Sequence, residues 1–270
     1  MPEKIKRNDR MAAMAQVLCS TPNRIYPFTY FCDMFDTARS TVSEDVDLLE
    51  KAFSRFSLGR VETVIGAAGG VRYRPVGGDG GRREALEEIC VRLSEPDRLL
   101  PGGYLYQSDV FTQPESLKLM AEIIAGASYY TAPDFVLTME TKGIPLAMMT
   151  AQAMGVPLRI ARHTNKVYEG STVSISYVSA NGRVDTMSLS RRAVREGGRA
   201  LIVDDFMRGG GTVRGLISLM REFNVEVTGI RIGLAVADVP MEDDRFKSLM
   251  TMSGGRGGEP LCLKVADWVR

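Results

Sequence analysis

Long apolar runs are missing from this sequence, and with them any stretch of the ~20 apolar residues that a membrane-spanning helix requires. The chain start, Met1 to Arg10, is charged and lacks the apolar core of a secretory leader. Cysteine is scarce: Cys19, Cys32, Cys90 and Cys262 are scattered and form no metal-type pair. That usage fits a reduced, cytoplasmic setting in which each thiol is a small buried apolar group. Histidine occurs once, at His163, and reads as a surface loop residue rather than a catalytic base. Excess charge is also lacking. The formal net charge is +1, so any nucleic-acid surface has to come from local placement of basic groups. There is no internal repeat and no low-complexity tract.

What is present is an ordinary folded composition, 44% hydrophobic and 25% charged over 270 residues, which suits one or two domains. Gly77, Gly78, Gly80 and Gly81 around Asp79 form a flexible seam. The expected division is residues 1–75 and 76–270.

In the first segment Met11, Met14, Ala15 and Leu18 stand at helical spacing, which predicts a helix over Asp9 to Ser20. Pro27 opens a short second helix with Phe28, Phe31, Cys32 and Phe35 on one face. A third helix starts with Ser40 as N-cap, and Val42, Val46, Leu49 and Phe53 give it an apolar stripe that reads as core. Two short strands follow, Val61 to Ile65 and Val71 to Tyr73, joined by small residues from Gly66 to Gly70. This order is that of a winged helix-turn-helix. In that arrangement Arg39, Ser40, Thr41 and Ser43 meet the major groove, while Lys6, Arg7, Gly69, Gly70 and Arg72 hold the backbone or minor groove. Double-stranded operator DNA is the implied partner. A dimerisation or protein-binding module has the same outline, and a balance of 11 Lys or Arg against 9 Asp or Glu over residues 1–75 does not separate the two.

The second segment alternates strands and helices after an amphipathic helix over Arg82 to Ser94, and predicts an α/β domain with a mostly parallel sheet. Strands are expected at Phe135–Met139, Leu158–Ala161, Thr172–Tyr177, Val184–Leu189, Ala200–Val203 and Val227–Ala235, all assigned to that sheet. The informative stretch runs from Ala200 to Thr212: a buried strand, the adjacent acids Asp204 and Asp205, Phe206, Met207, Arg208, then Gly209, Gly210 and Gly211. Glycines allow backbone N–H groups to turn inward, and a helix N-terminus with the Thr212 hydroxyl completes a phosphate cradle. Two carboxylates at the strand end can accept hydrogen bonds from sugar hydroxyls, at the edge where open α/β sheets bind ligands. No Gly-Lys-Ser/Thr follows, so this is not a Walker loop, and it is not a GxGxxG loop.

Residues 200–212 resemble the phosphoribosyl-pyrophosphate (PRPP) signature of type I phosphoribosyltransferases. The resemblance implies that Asp204 and Asp205 hold the ribose hydroxyls and that Phe206 to Thr212 wrap the 5′-phosphate. Thr141, Lys142 and Gly143 resemble that family's pyrophosphate loop, and Arg162 to Tyr177 its flexible loop, with Lys166 as the main charge. The whole chain resembles the purine operon repressor family of Gram-positive bacteria. The matching stretches are the Ala67-Ala68-Gly69-Gly70 wing, Leu100 to Tyr104, Thr141 to Pro145, Asn165 to Ser174 and Asp204 to Met207. That resemblance implies a homodimeric repressor of purine biosynthesis genes. PRPP, accompanied by Mg2+, is its inducer and guanosine tetraphosphate a competing ligand; no cofactor is implied.

Active transferases carry a small residue and then Ala or Thr before Gly-Gly-Thr. Here Arg208 and Gly209 stand in those places, so the hydroxyl that many enzymes set on the 5′-phosphate is missing and Arg208 offers a charge instead. Phe206 and Tyr104 supply aromatic faces on which a base can stack. The expectation is ligand binding without turnover. An active purine phosphoribosyltransferase with an accessory N-terminal module, and a transcriptional activator, remain open.

Overall fold

Apolar side chains at three- and four-residue spacing place the first three helices in the computed structural model, which describes residues 5–66, 69–75, 81–164, 170–179, 182–237, 243–255 and 259–269. Two compact units divide the chain, one of Met1–Gly80 with Gln152–Gly155 and the other of Gly81–Ala151 with Val156–Arg270. Of the glycine seam, residues 77–80 lie outside the described residues. Among the described residues no helix is long and apolar enough to cross a membrane.

The first unit runs α1 (Arg7–Ser20), α2 (Phe28–Phe35), α3 (Arg39–Arg55), then the antiparallel hairpin of β1 (Arg60–Val64) and β2 (Gly70–Arg74). Met14 and Leu18 of α1, Phe31 and Phe35 of α2, and the α3 stripe Val42, Val46, Leu49 and Phe53 share one core with Tyr26, Val61 and Val71. Tyr26 bridges to Val71, which gives the hairpin a third extended partner. Between α2 and α3 the chain reverses at Asp36, in the left-handed region at φ 46°, and the Thr37 N–H returns to the Cys32 carbonyl at 3.1 Å. That reversal has an effect on the cap. The Ala38 carbonyl already accepts the Val42 N–H at 3.2 Å, so α3 starts at Arg39 with no side-chain cap. Ser40 therefore lies inside the first turn and is not the N-cap that its residue type suggested. Helices α1 and α3 are tied by a buried ion pair, Arg10 Nε to Asp45 Oδ2 at 2.6 Å, and Arg10 Nη1 also donates to the Ile5 carbonyl at 2.9 Å.

The second unit opens with α4 (Arg82–Leu93), a short hairpin of β3 (Leu99–Leu100) and β4 (Tyr104–Leu105), and α5 (Pro114–Ser128). Then come β5 (Phe135–Met139), α6 (Ile144–Met154), β6 (Leu158–Ala161), β7 (Thr172–Val178) and β8 (Val184–Ser190). The chain ends with β9 (Arg199–Met207), α7 (Gly211–Glu222), β10 (Glu226–Val236), β11 (Phe246–Ser253) and β12 (Cys262–Val265). The six-stranded sheet has the order β12-β11-β10-β9-β5-β6. It is parallel except where β12 closes the edge antiparallel to β11.

Strands β7 and β8 correct the expectation. They are not members of the main sheet but pair with each other as a separate antiparallel hairpin. Period-two patterning marks a strand without saying which sheet takes it. The hairpin lies on α7, because Gly211 has no Cβ to meet the Val178 carbonyl and Gly215 none to meet Tyr177 and Met187. Helix α4 buries Leu86, Ile89, Cys90 and Leu93, and Arg83 donates to the Val269 carbonyl at 2.9 Å.

Candidate functional site

Strand β9 is buried along almost its whole length and delivers Asp204 and Asp205 to its C-terminal end. Both carboxyl groups are buried. The Asp205 N–H donates to Asp204 Oδ1 at 3.1 Å, and Gln107 Nε2 donates to Asp205 Oδ2 at 3.3 Å. Burial, and then the adjacent Asp205 carboxylate, pushes Asp204 well above the usual carboxylate range. Asp205 is raised too, again by burial, against the opposing pull of Asp204 as hydrogen-bond partner and of the Lys142 charge. Both carboxyl groups are thus held in a setting that raises their proton affinity, and their oxygens can accept from hydroxyl donors.

After β9 the chain turns through Arg208, Gly209 and Gly210. Gly210 caps α7 at φ 70°, a conformation that glycine adopts without strain. The first backbone N–H groups of α7 and the Thr212 hydroxyl face the turn, an arrangement suited to an anion. Two cavities adjoin here. One, of about 240 Å³, is lined by Tyr104, Asp204, Phe206 and the turn from Met207 to Val213. The other, of about 210 Å³, is lined by Glu140, Thr141, Lys142, His163, Tyr177, Asp204, Asp205 and Thr212. Asp204 and Thr212 line both, so the two cavities lie side by side, the glycine turn lining one and Lys142 the other; together they make up the groove.

Gly143 fixes the spacing of that groove. A Cβ there would collide with Asp204 Oδ1 and stand 2.6 Å from the buried Thr138 hydroxyl. Gly143→Ala is therefore expected to displace the Asp204 carboxyl and weaken ligand binding at least about tenfold, read by calorimetric titration. Binding as tight as the parent protein's would show that the Asp204 position is unimportant.

The sequence-predicted ligand residues Thr141, Lys142, Gly143, Asp204, Asp205, Phe206, Met207, Gly209, Gly210, Gly211 and Thr212 all line this groove. Tyr104 joins them, half exposed. Arg208 lines the groove as well; its Nη2 donates to the Gly103 carbonyl, and its guanidinium lies 4.7 Å from the ring centroid of Tyr104, another lining residue. Lys166 lies outside the described residues. Within the expected flexible loop, residues from Thr172 onward are already strand β7. Sequence reasoning missed Gln107, Glu140 and Tyr177. Only Glu140 carried a signal, as the first residue past a buried strand.

On the first unit Lys6, Arg39, Ser40 and Ser43 are exposed, and Thr41 is half-buried. The Arg39 guanidinium lies 5.2 Å from the Phe28 ring centroid. Three expectations change. Arg7 is engaged by Glu44 at 3.0 Å and Asp45 at 3.2 Å. Gly70 is buried, with no room for a Cβ against the Tyr26–Pro27 backbone, so it serves close packing and presents no DNA surface. Arg72 is ion-paired with Glu62, its cross-strand neighbour, which also takes Arg74 at 2.7 Å. Gly69 is half-buried at the start of β2, and the wing tip, residues 67–68, lies outside the described residues.

Comparison with known proteins follows the same two-part division. Residues 6–75 match the family described as bacterial purine repressor, N-terminal, and residues 107–245 match the phosphoribosyl transferase domain. The probable purine biosynthesis transcriptional regulator PurR of Streptococcus pneumoniae is 41% identical over 93% of this chain and 92% of its own. The purine biosynthesis transcriptional repressor PurR of Bacillus subtilis is 39% identical over 93% and 88%. The purine biosynthesis transcriptional activator PurR of Lactococcus lactis is 38% identical over 91% and 92%. Among solved structures, adenine phosphoribosyltransferase from Thermoanaerobacter pseudethanolicus superposes with a TM-score of 0.54 at 22% identity, over 61% of this chain and 98% of that one, a likeness of fold.

Proposed function

The chain belongs to the PurR family of bacterial purine biosynthesis transcriptional regulators, and from that premise we propose that it is a DNA-binding repressor that releases its operator when PRPP fills the groove of its second unit. It works in the cytoplasm as a homodimer on a roughly two-fold DNA site. The observation that carries the reading is the buried Asp204–Asp205 pair between a glycine cradle and the Lys142 loop. Acceptors set between a glycine turn and a lysine loop are the kinds of group that a ribose flanked by a phosphate and a diphosphate would need. Mg2+ travels with the diphosphate of PRPP. Guanosine tetraphosphate, with phosphates at two ends of a ribose, competes for the same groove, its purine stacking on Tyr104 or Phe206.

The groove binds without turnover. Gly209 brings no hydroxyl to the cradle, and Arg208 is spent on Gly103 and Tyr104. Incubation of PRPP with adenine, guanine or xanthine is accordingly expected to release no pyrophosphate. The Lactococcus lactis relative, named an activator, favours a second reading in which the same contacts switch a promoter on. The position of the DNA site relative to the promoter separates the two.

The test is fluorescence anisotropy on a purine-biosynthesis promoter fragment. Protein alone is expected to bind specifically, PRPP to weaken binding, and guanosine tetraphosphate to oppose PRPP. PRPP shifts the equilibrium only by its differential affinity for the two states, and DNA must weaken PRPP binding by the same factor. Equal PRPP affinity with and without operator DNA would remove the inducer role. Absence of specific DNA binding would remove the regulator reading.

A further inference from the structure

The single histidine of the chain lies in the groove, and no part of the reading above uses it. His163 follows β6 at the C-terminal end of the sheet. Its backbone N–H donates to Glu140 Oε1 at 2.7 Å, while Arg162 Nη1 holds Glu140 Oε2 at 3.2 Å. Glu140 is fixed in turn, its N–H donating to the Ala161 carbonyl at 3.0 Å. These bonds join the ends of the parallel neighbours β5 and β6 and place His163 among the residues, Thr141 and Lys142 included, that line this part of the groove. From the other elements around the groove Asp204 and Asp205 of β9 face it, with Tyr177 of β7 and Thr212 of α7. Charge is therefore separated along the groove. Arg162 is paired with Glu140, and among the described residues lining this part of the groove the further basic groups are Lys142 and His163.

Resting on the PRPP-sensor reading, we propose that His163 is a ligand-binding residue whose imidazolium completes the diphosphate end of the groove, so that acidification strengthens the hold on the effector and the release of DNA. Histidine is the side chain that can exchange a neutral ring for a cation without leaving the pH range in which proteins stay folded. A protonated ring adds a charge-assisted hydrogen bond to a diphosphate oxygen; a neutral ring offers a weaker one.

Isothermal titration of the full-length protein with PRPP at about pH 6 and about pH 8 tests this, in the parent protein, His163→Gln and His163→Lys. The phosphates of PRPP and the acid pair titrate in all three proteins, so the ratios between proteins carry the result. At the lower pH the parent protein is expected to bind PRPP about fivefold more tightly than His163→Gln, and at the higher pH within about twofold. His163→Lys, with a permanent charge, is expected to bind more tightly than the parent at the higher pH and about equally at the lower. A parent-to-Gln ratio that does not change with pH overturns the proposal while leaving PRPP as the effector. If none of the three proteins binds PRPP at either pH, the sensor reading fails and the proposal falls with it.

Discussion

Replacing Asp204 and Asp205 together by asparagine is expected to raise the PRPP concentration that half-releases operator DNA by about 100-fold, while making the second unit more stable at neutral pH. The first effect follows from removing charge-assisted acceptors for two hydroxyls, each worth about 1.5–3 kcal/mol. The second follows from linkage. Both acids titrate above the ordinary carboxylate range because they are buried beside each other. The native state then binds more protons than the unfolded one, and stability falls as pH rises from the ordinary carboxylate range through the raised native values. Asparagine abolishes that fall. A gain of about 1 kcal/mol, or roughly 2–4 °C in Tm, is expected near pH 7 and none well below the ordinary carboxylate range. Anisotropy titration with PRPP and thermal melts across pH read the two effects. Unchanged half-release would detach the acid pair from the effector response, and a lower Tm at neutral pH would show that the pair is not strained by burial. Loss of function with gain of stability also separates this outcome from misfolding.

The second large effect lies in the DNA-binding unit. Asp45 is fully buried on α3 and is met by Arg10, itself buried, at 2.6 Å. Arg10→Ala removes the buried partner of that carboxylate and leaves it, among the described residues, to the half-exposed Arg7 at 3.2 Å. The expected cost is about 3–5 kcal/mol, enough to unfold a small unit or leave it marginal. Urea denaturation followed by circular dichroism checks it, since the only tryptophan, Trp268, reports on the other unit. Arg10→Met with Asp45→Leu is expected to recover most of the loss, because apolar packing replaces the pair without leaving a charge behind. A shift below about 0.5 kcal/mol for Arg10→Ala would show that solvent reaches Asp45.

Much of this was legible in the sequence because burial writes a period into it. The α3 stripe Val42, Val46, Leu49 and Phe53 announced both the helix and the face it buries. Asp204 and Asp205 stood out because acids at the end of an apolar strand, followed by glycines, have few other uses. What escaped depends on partners distant in sequence. Glu62 takes Arg72 and Arg74 because the hairpin register sets Arg72 opposite it and Arg74 on the diagonal, which no one-strand reading reveals. Gln107 reaches Asp205 across 98 residues, and nothing around it is periodic. Arg208 lines the groove as its position suggested, but its contacts with a ring and a carbonyl on the β3–β4 turn come from chain about a hundred residues away and could not be read locally. Strands β11 and β12 carry no motif, and their place at the sheet edge follows from topology. The Ser40 cap failed because the Asp36 reversal starts the helix two residues early, with Ala38 in the cap position.

The glycine face of α7 has a mechanical consequence. With Gly211 and Gly215 turned to β7, no side chain from those positions cushions the helix against the Val178 carbonyl and Tyr177. Close-packed surfaces of this kind have little compressibility, so the helix cannot advance without pushing the strand. The α7 end that forms the cradle and the β7–β8 hairpin then work as a piston and its rod. A push at the first turn of α7 emerges at the outer end of the rod, where Val178 and Val184 are paired and exposed to solvent.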